Sequence, residues 1–198
     1  RLRPGDIKYR DLNGDGVIDD YDKMPIGFCD IPEITYGFGG AIEWKGFDVS
    51  IFFQGTARVS LFEEGSTIVP FSSGYKNNDG FLRGVMENRW TVDNPDPNAR
   101  YPRTIRPSDA LDNNNTKKSS FWVRNAAFLR LKNAEIGYTF PKRWMEKMAI
   151  QNLRLYVSGV NLLTWAPDVH LFDPDLGSGD GRKYPPTRVF NVGLNINF

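Results

Sequence analysis

The last nine residues of this 198-residue chain alternate between apolar side chains and asparagine or glycine. Successive side chains of an extended strand point to opposite faces of a sheet. The apolar face of this strand would carry Phe190, Val192, Leu194, Ile196 and Phe198. Such a face must be covered, either by the core of a soluble antiparallel sheet or by the lipid around a transmembrane barrel. The alternation alone leaves both possibilities open.

The composition favours an all-β chain with long loops. Aromatic residues make up 14% of the chain, and 19 glycines and 13 prolines supply many turns. The charges are balanced, with 25 Lys and Arg against 24 Asp and Glu, so we expect no nucleic-acid partner. There is no run of about eighteen apolar residues, which excludes a transmembrane helix but not transmembrane strands.

Four further segments have the period of a β-strand. A hairpin is predicted from strands at 34–42 and 47–54, joined by a tight link of about three residues that turns at 44–46. A third strand at 128–140 changes its apolar parity at Lys132 and Asn133, which predicts a β-bulge. The fourth strand is expected at 153–163. Short helices are predicted near 81–90 and 142–148.

The lengths of the connections favour the barrel. The sequence predicts three long polar segments, at residues 1–33, 60–125 and 164–187, while the other connections are short. In an up-and-down sheet all the long segments then fall on one rim, which is the arrangement of outer-membrane barrels. Aromatic residues gather near the short-turn rim, where an interfacial girdle is expected: Trp44, Phe47, Phe140, Trp144 and Phe198.

Residues 11–22 have the spacing of a twelve-residue calcium loop. Gly16 occupies the sixth position, where the sharp turn requires glycine. The oxygen ligands at positions 1, 3, 5, 7, 9 and 12 would come from Asp11, Asn13, Asp15, the Val17 carbonyl, Asp19 and Asp22. Position 12 is Asp rather than the usual Glu, so we expect a structural Ca²⁺ site of modest affinity. The alternative is a solvated acidic turn held by side-chain to backbone hydrogen bonds.

The sequence does not indicate an enzyme. His170 is the only histidine and Cys29 the only cysteine, so a multi-histidine zinc site and an intrachain disulfide are excluded. A glycosidase would need two carboxylates that flank a sugar bond. The loop carboxylates are expected to be solvated instead: Glu63, Glu64, Asp173, Asp175 and Asp180.

Two further sets of residues are candidates for contact with a transported ligand. A polar wall on the inner face would comprise Asp48, Gln54, Arg130, Glu135, Arg154, Tyr156, Asn191 and Asn195. Loop residues that face a ligand, the aromatic ones by stacking on sugar rings, would be Trp90, Tyr101, Trp122, Trp165, His170 and Phe172. The alternatives are that the first set only solvates the inner face and that the loop aromatics pack the loops on one another.

Several motifs resemble the carboxy-terminal part of SusC/RagA-family TonB-dependent outer-membrane transporters. They are GDIKY at 5–9 with the acidic loop after it, TYGF at 35–38, NRWT at 88–91, FLRLKN at 128–133, GYTFP at 137–141, VSGVNLLTW at 157–165 and the terminal strand. The resemblance implies a plugged barrel of about 22 strands, of which this chain would supply about the last five. The terminal aromatic, Phe198, resembles the signal by which such barrels are recognised for insertion.

The resemblance also implies a function and partners. The whole protein would import oligosaccharides or peptides across the outer membrane of a Gram-negative bacterium, with a SusD-like lipoprotein as its lid. The remaining barrel strands, the plug and the segment that contacts TonB would belong to a preceding part of the protein, and outer-membrane lipid would surround it. The chain has no initiator Met or signal segment, so we expect a piece of a longer protein.

The competing hypothesis is a soluble, calcium-stabilised β domain that binds carbohydrate or mediates adhesion. The two differ in what the apolar strand faces contact. In a barrel Val49, Ile51, Leu155, Val157 and Val192 face lipid, together with Leu194, whereas in a soluble domain they contact one another across a core.

Overall fold

The computed structural model describes residues 2–65, 67–69, 82–104, 114–145, 150–179 and 181–198. In these ranges the secondary structure is mainly β, in agreement with the all-β prediction. The elements in chain order are β1 (Ile34–Trp44), β2 (Phe47–Ala57), β3 (Ser60–Phe62), α1 (Arg83–Glu87), β4 (Val123–Asn125), β5 (Phe128–Thr139), α2 (Lys142–Met145), β6 (Asn152–Trp165) and β7 (Val189–Asn197). No helix among the described residues is long and apolar enough to cross a membrane.

Five of the strands form one antiparallel up-and-down sheet in the order β1, β2, β5, β6, β7. The β1–β2 hairpin closes through Lys45 and Gly46, whose φ angles are 49° and 90°. A two-residue hairpin turn of this kind needs positive φ at both central positions, which explains the glycine. The predicted hairpin is confirmed, with a link of two residues in place of the expected three.

The predicted bulge in β5 is also confirmed. Phe52 pairs with Asn133 and Phe53 with Leu131, so Lys132 has no partner on β2. The apolar positions of β5 are odd-numbered before the bulge and even-numbered after it. The extra residue therefore places Leu131 on the same face of the sheet as Phe53. A second irregularity lies next to it on β6, which was not predicted.

The register gathers the apolar residues of all five strands on one face of the sheet. One row runs straight across it through Ile42, Val49, Ile136, Val157 and Val192, which are directly paired from strand to strand. Their exposed fractions lie between 41% and 75%. The side chains of this row are therefore left uncovered by the part of the chain that the structure describes.

The predicted division into a long-loop rim and a short-turn rim holds. Trp44, Phe47, Tyr138, Leu155 and Leu194 form the adjacent row, which lies towards the short connections at 45–46 and 140–151. The connections at 58–127 and 166–188 leave from the opposite end of the strands.

The hydrophobic core lies among the long connections and not beneath the sheet. One buried cluster contains Ile7, Ile68, Val69, Val85, Tyr101 and Trp122. A second contains Val59, Leu61, Ala126 and Val169. We call this packed region the loop layer. Residues 2–10 belong to it through Ile7, and Phe28 is tied to it by a hydrogen bond from its backbone to Ser60.

The prediction that 60–125 is loop apart from one short helix missed two strands. β3 and β4 pair with each other, and α1 occupies part of the predicted helix. Strands of three residues are too short to show alternation, so only their tertiary pairing reveals them. The helix at 142–148 is seen as α2, and residues 146–149 lie outside the described residues, as does residue 81. β2 and β6 each continue two or three residues beyond their predicted ends.

Truncation of Leu61 tests the loop layer. Leu61 is 1% exposed, so Leu61→Ala should lower the free energy of opening of this layer by about 2–5 kcal/mol. Hydrogen exchange of the Glu63 amide, which donates to the Trp122 carbonyl at 2.9 Å, would measure it. The matched control is Leu12→Ala, because Leu12 is 43% exposed and should cost under about 1 kcal/mol. Equal costs in the two variants would contradict a core in this region.

Candidate functional site

The polar face of the sheet carries an ion-pair network near the short-turn rim. The Arg154 guanidinium on β6 donates to Asp48 on β2, with Nε 3.0 Å from Oδ1, and to Glu135 Oε1 on β5 at 2.6 Å. The same guanidinium lies 4.9 Å from the centre of the Tyr156 ring. Three neighbouring strands are thus connected through one cation on the face opposite the apolar rows.

The polar wall predicted from the sequence is present as a set. Gln54 pairs with Arg130, Arg154 with Asn195, and Ser158 with Asn191, all in register on the same face. This arrangement does not distinguish a wall that contacts ligand from one that only solvates the inner face.

Arg130 has a role that the sequence did not indicate. It is 1% exposed, and its Nη2 donates to both carboxylate oxygens of Asp173, at 2.6 and 2.7 Å. Its Nη1 donates to Asp175 Oδ2 at 2.7 Å, and its Nε donates to Thr164 Oγ1 at 2.9 Å. A guanidinium that donates to two carboxylates makes charge-assisted hydrogen bonds, which are stronger than neutral ones. It ties the 166–188 connection to the polar face of β5.

Asp173 also orders the connection locally. Its side chain accepts the Asp175 amide at 3.0 Å and caps the 3₁₀ turn Pro174–Leu176, which Gly177 ends with a φ of 71°. The expectation that Asp173 and Asp175 are merely solvated was therefore wrong. The DPD sequence is a recognisable cap signal, but its cationic partner is 43 residues away in sequence. Asp180 lies outside the described residues.

Glu63 is another loop carboxylate for which the prediction of a solvated side chain is wrong. Its side chain is fully buried, 2.9 Å from Arg124 and 3.7 Å from Arg100. Burial raises the pKa of Glu63 above its usual value, and the two arginines offset part of that rise. Glu64, in contrast, makes an exposed pair with Lys118 at 3.0 Å. The buried group sits where β3, β4 and residues 100–101 meet.

Asp6 holds the first segment against the loop layer. It accepts hydrogen bonds from Arg103, the Arg3 backbone and Asn115. Burial alone would raise the pKa of Asp6, but these donors outweigh it and the pKa is lowered. Asn115 in turn accepts the Ile7 amide at 2.9 Å.

The loop aromatics mostly pack the loops on one another. Tyr101 and Trp122 are only 2% and 3% exposed, so the prediction that they face a ligand is wrong for this arrangement. Trp165 belongs to β6 and lies on the apolar face, 6.4 Å from the Phe53 ring. Phe172 packs against both buried clusters. Trp90 is half-buried and His170 is exposed, so the prediction that these two residues face a ligand remains open.

The acidic loop at 11–22 is ordered by its own backbone. The Asp11 carboxylate accepts the Gly14 and Gly16 amides at 2.6 and 2.8 Å. Asp22 accepts the Leu12 and Asp19 amides at 2.7 and 2.9 Å, and these donors lower its pKa. The oxygen donors are of the kind that Ca²⁺ takes. However, no three His, Cys, Asp or Glu side chains in the described ranges are grouped so as to hold a metal ion.

An open cleft of about 780 Å³ adjoins this loop. Its apolar lining comes from Leu12, Ile18, Met24 and Ile26, and its polar lining includes Tyr9, Arg10, Asp19, Lys117, Ser119 and Ser120. The volume is in the range of small-ligand pockets. The sequence did not predict this cleft, because residues about 100 positions apart form its two walls.

Loss of the Arg130 side chain tests the anchoring of the 166–188 connection. Arg130→Met leaves Asp173 and Asp175 without their cation and should cost about 3–5 kcal/mol. Arg130→Lys should recover little, because an ammonium does not reproduce the planar set of donors that reaches Asp173, Asp175 and Thr164 together. Hydrogen exchange of the Asp175 amide measures the release of the connection.

The control is Arg58→Met, which removes a more exposed pair with Glu33 and should cost under about 1 kcal/mol. Unchanged protection of the Asp175 amide in Arg130→Met would show that other contacts hold the connection.

No protein-family model matches the chain. Two TonB-dependent receptors of Formosa agariphila, P26 and P3, are 30% and 31% identical to it over 98% of its length. The TonB-dependent receptor SusC of Bacteroides thetaiotaomicron is 26% identical over 99% of the chain. The chain spans only 18–20% of the length of these relatives.

Solved structures share the fold. A structure of the RagAB peptide transporter superposes with a TM-score of 0.64 at 23% identity, over 92% of this chain and 19% of that one. The closed-closed state of the RagAB peptide importer gives a TM-score of 0.66 at the same identity and coverage. The resemblance inferred from the motifs is confirmed: the chain belongs to the SusC/RagA-type TonB-dependent receptors and represents about one fifth of such a protein.

Proposed function

We propose that this chain forms part of the wall and the extracellular loops of a nutrient importer in the outer membrane of a Gram-negative bacterium. The observation that carries the proposal is the uncovered apolar face, which crosses all five strands of the sheet. Removal of apolar surface from water stabilises a protein by roughly 25 cal/mol per Å². A face of this width is therefore expected to be covered, and lipid covers the corresponding face of a barrel.

The dimensions of the strands agree with this proposal. A tilted transmembrane strand needs roughly 9–11 residues, and the five strands have 11, 11, 12, 14 and 9. In the proposed orientation Phe190, Val192, Leu194, Ile196 and Phe198 contact lipid. The Arg154 network then lines the lumen, where water and polar partners are available, and Arg130 lies on the same face, buried beneath the 166–188 connection.

We further propose that the complete receptor takes up oligosaccharides or peptides together with a SusD-like lipoprotein. The support is the similarity to SusC and to the RagAB peptide importer. Energy would come from TonB through parts of the receptor outside this chain. The relatives are named receptors and transporters, and we assign no catalytic role to the chain.

The soluble calcium-stabilised domain is the less favoured hypothesis. It requires the apolar strand faces to meet across a core, yet Val157 and Val192 are exposed in the described part of the chain. The buried clusters lie in the loop layer instead.

A charge on the apolar face tests membrane assembly. In the full-length receptor, Leu194→Arg should cost about 2–4 kcal/mol if the site lies near the middle of the bilayer, enough to reduce assembled receptor at least tenfold. The amount in the outer-membrane fraction and its heat-dependent mobility on gels measure assembly. Asn191→Arg is the matched control, because Asn191 lies on the polar face of the same strand. Normal assembly of Leu194→Arg would contradict a lipid-facing position near the middle of the bilayer.

Uptake by cells tests the transport function directly. Deletion of the full-length receptor should abolish uptake of either a labelled oligosaccharide or a labelled peptide, and re-expression should restore it. If the deletion strain still takes up both the oligosaccharide and the peptide, the proposed import function is refuted. If the uptake of one of them is lost, that compound identifies the substrate class.

We also propose, on the spacing at 11–22, that this loop binds Ca²⁺ with a dissociation constant of about 10⁻⁴ to 10⁻³ M. Asp15→Asn at the fifth position should weaken binding at least tenfold. Asp20→Asn, at the tenth position, removes the same charge without removing a proposed ligand and should change it little. Calorimetric titration of the full-length receptor measures both. An absence of binding at 10 mM calcium, or equal effects of the two substitutions, would refute the site.

A further inference from the structure

Three cationic side chains project at the short-turn rim of the sheet. Lys45 lies in the β1–β2 turn, and Lys142 and Arg143 lie in α2. All three are exposed. The ion pairs seen at this end of the described sheet join Arg154 to Asp48 and Glu135 and involve none of the three. We refer to Lys45, Lys142 and Arg143 as the rim cations.

A continuous series of aromatic rings connects the two places that carry the rim cations. The ring centres of Phe47 and Tyr138 are 4.6 Å apart, those of Tyr138 and Phe140 5.1 Å, and those of Phe140 and Trp144 6.2 Å. At the other end of the series, Trp44 pairs with Phe47 across the hairpin. The Lys45 Nζ atom lies 4.6 Å from the centre of the Trp44 ring. The series therefore runs from the β1–β2 turn across β5 to α2.

The acidic side chains that the structure describes near this rim are on the other face. Glu43 pairs with Asp48 in register on the polar face, and Asp48 and Glu135 are already bound by Arg154. Among the described residues, positive charge is thus displayed beside the apolar face and negative charge on the polar face. This separation favours an anionic partner that also has an apolar body.

We propose that the rim cations bind the phosphate headgroups of anionic phospholipids in the leaflet next to the short turns. The inference rests on the proposed function, which places the apolar face in a bilayer. Trp and Tyr rings settle at the headgroup level, which brings the attached cations to the depth of the phosphates. A guanidinium and an ammonium both bind phosphate, the first in bidentate fashion. A lipid with net negative charge is preferred over a zwitterionic one, because the ammonium of the zwitterion opposes the rim cations.

The test uses the full-length receptor in lipid nanodiscs with trace amounts of photoactivatable phosphatidylglycerol or phosphatidylethanolamine that have identical acyl chains. Crosslinked peptides are mapped by mass spectrometry to residues 42–48 and 138–145. We expect phosphatidylglycerol to label this rim more strongly, and the excess to fall as salt rises, because exposed charges are screened.

The variant Lys45→Asn, Lys142→Gln, Arg143→Gln should reduce the phosphatidylglycerol excess at this rim at least fivefold, since each cation near a membrane surface contributes about that factor. Asparagine is chosen at Lys45 because it tolerates the positive φ of the turn. The matched control, Lys8→Gln, Arg10→Gln, Lys117→Gln, removes the same charge at the long-loop end and should leave the labelling of this rim unchanged.

Equal labelling of the wild-type rim by the two lipids, or an unchanged excess in the rim variant, would overturn the inference and leave the transport function standing. Failure of the wild-type receptor to insert would overturn both. If the triple variant does not assemble, the single variant Lys45→Asn and the salt dependence of the wild-type protein decide the question.

Discussion

The register of the five antiparallel strands is the constraint on which the rest of the structure depends. Side chains alternate with a period of two, so a shift of one residue would move the apolar residues of a strand to the polar face. In the observed register Val49, Ile136 and Val157 form part of one apolar row, while Arg154 reaches Asp48 and Glu135 on the other face. The bulge at Lys132 preserves both faces where the parity of β5 changes.

Buried and exposed ion pairs contribute differently to the stability of this structure. The buried Arg130 and Glu63 connect segments that are far apart in sequence, and the loss of either partner would leave a charge in surroundings that solvate it poorly. Exposed pairs such as Arg58 with Glu33 contribute little by comparison. The described parts of the long connections are thus ordered by a few buried charges together with a hydrophobic core of their own.

The parts of the fold that sequence reasoning predicted are those with a local pattern. Alternation located the five long strands, the parity change located the bulge, and the lengths of the connections sorted the two rims. The three-residue strands β3 and β4 have no such pattern. The placing of Trp122 and Tyr101 in a core, and of Trp165 on the apolar face, depended on contacts that aromatic content alone does not reveal.

The candidate sites divide in the same way. The sequence by itself determined which residues alternate, which spacing matches a calcium loop and which family the chain resembles, because each of these is written in near neighbours or in ordered motifs. Only the tertiary structure decided that Arg130 takes Asp173 and Asp175 as partners, and that Lys45 and Arg143 flank one series of rings. The physical reason is that such contacts join residues tens of positions apart, and their energies arise only once the strands have brought them together.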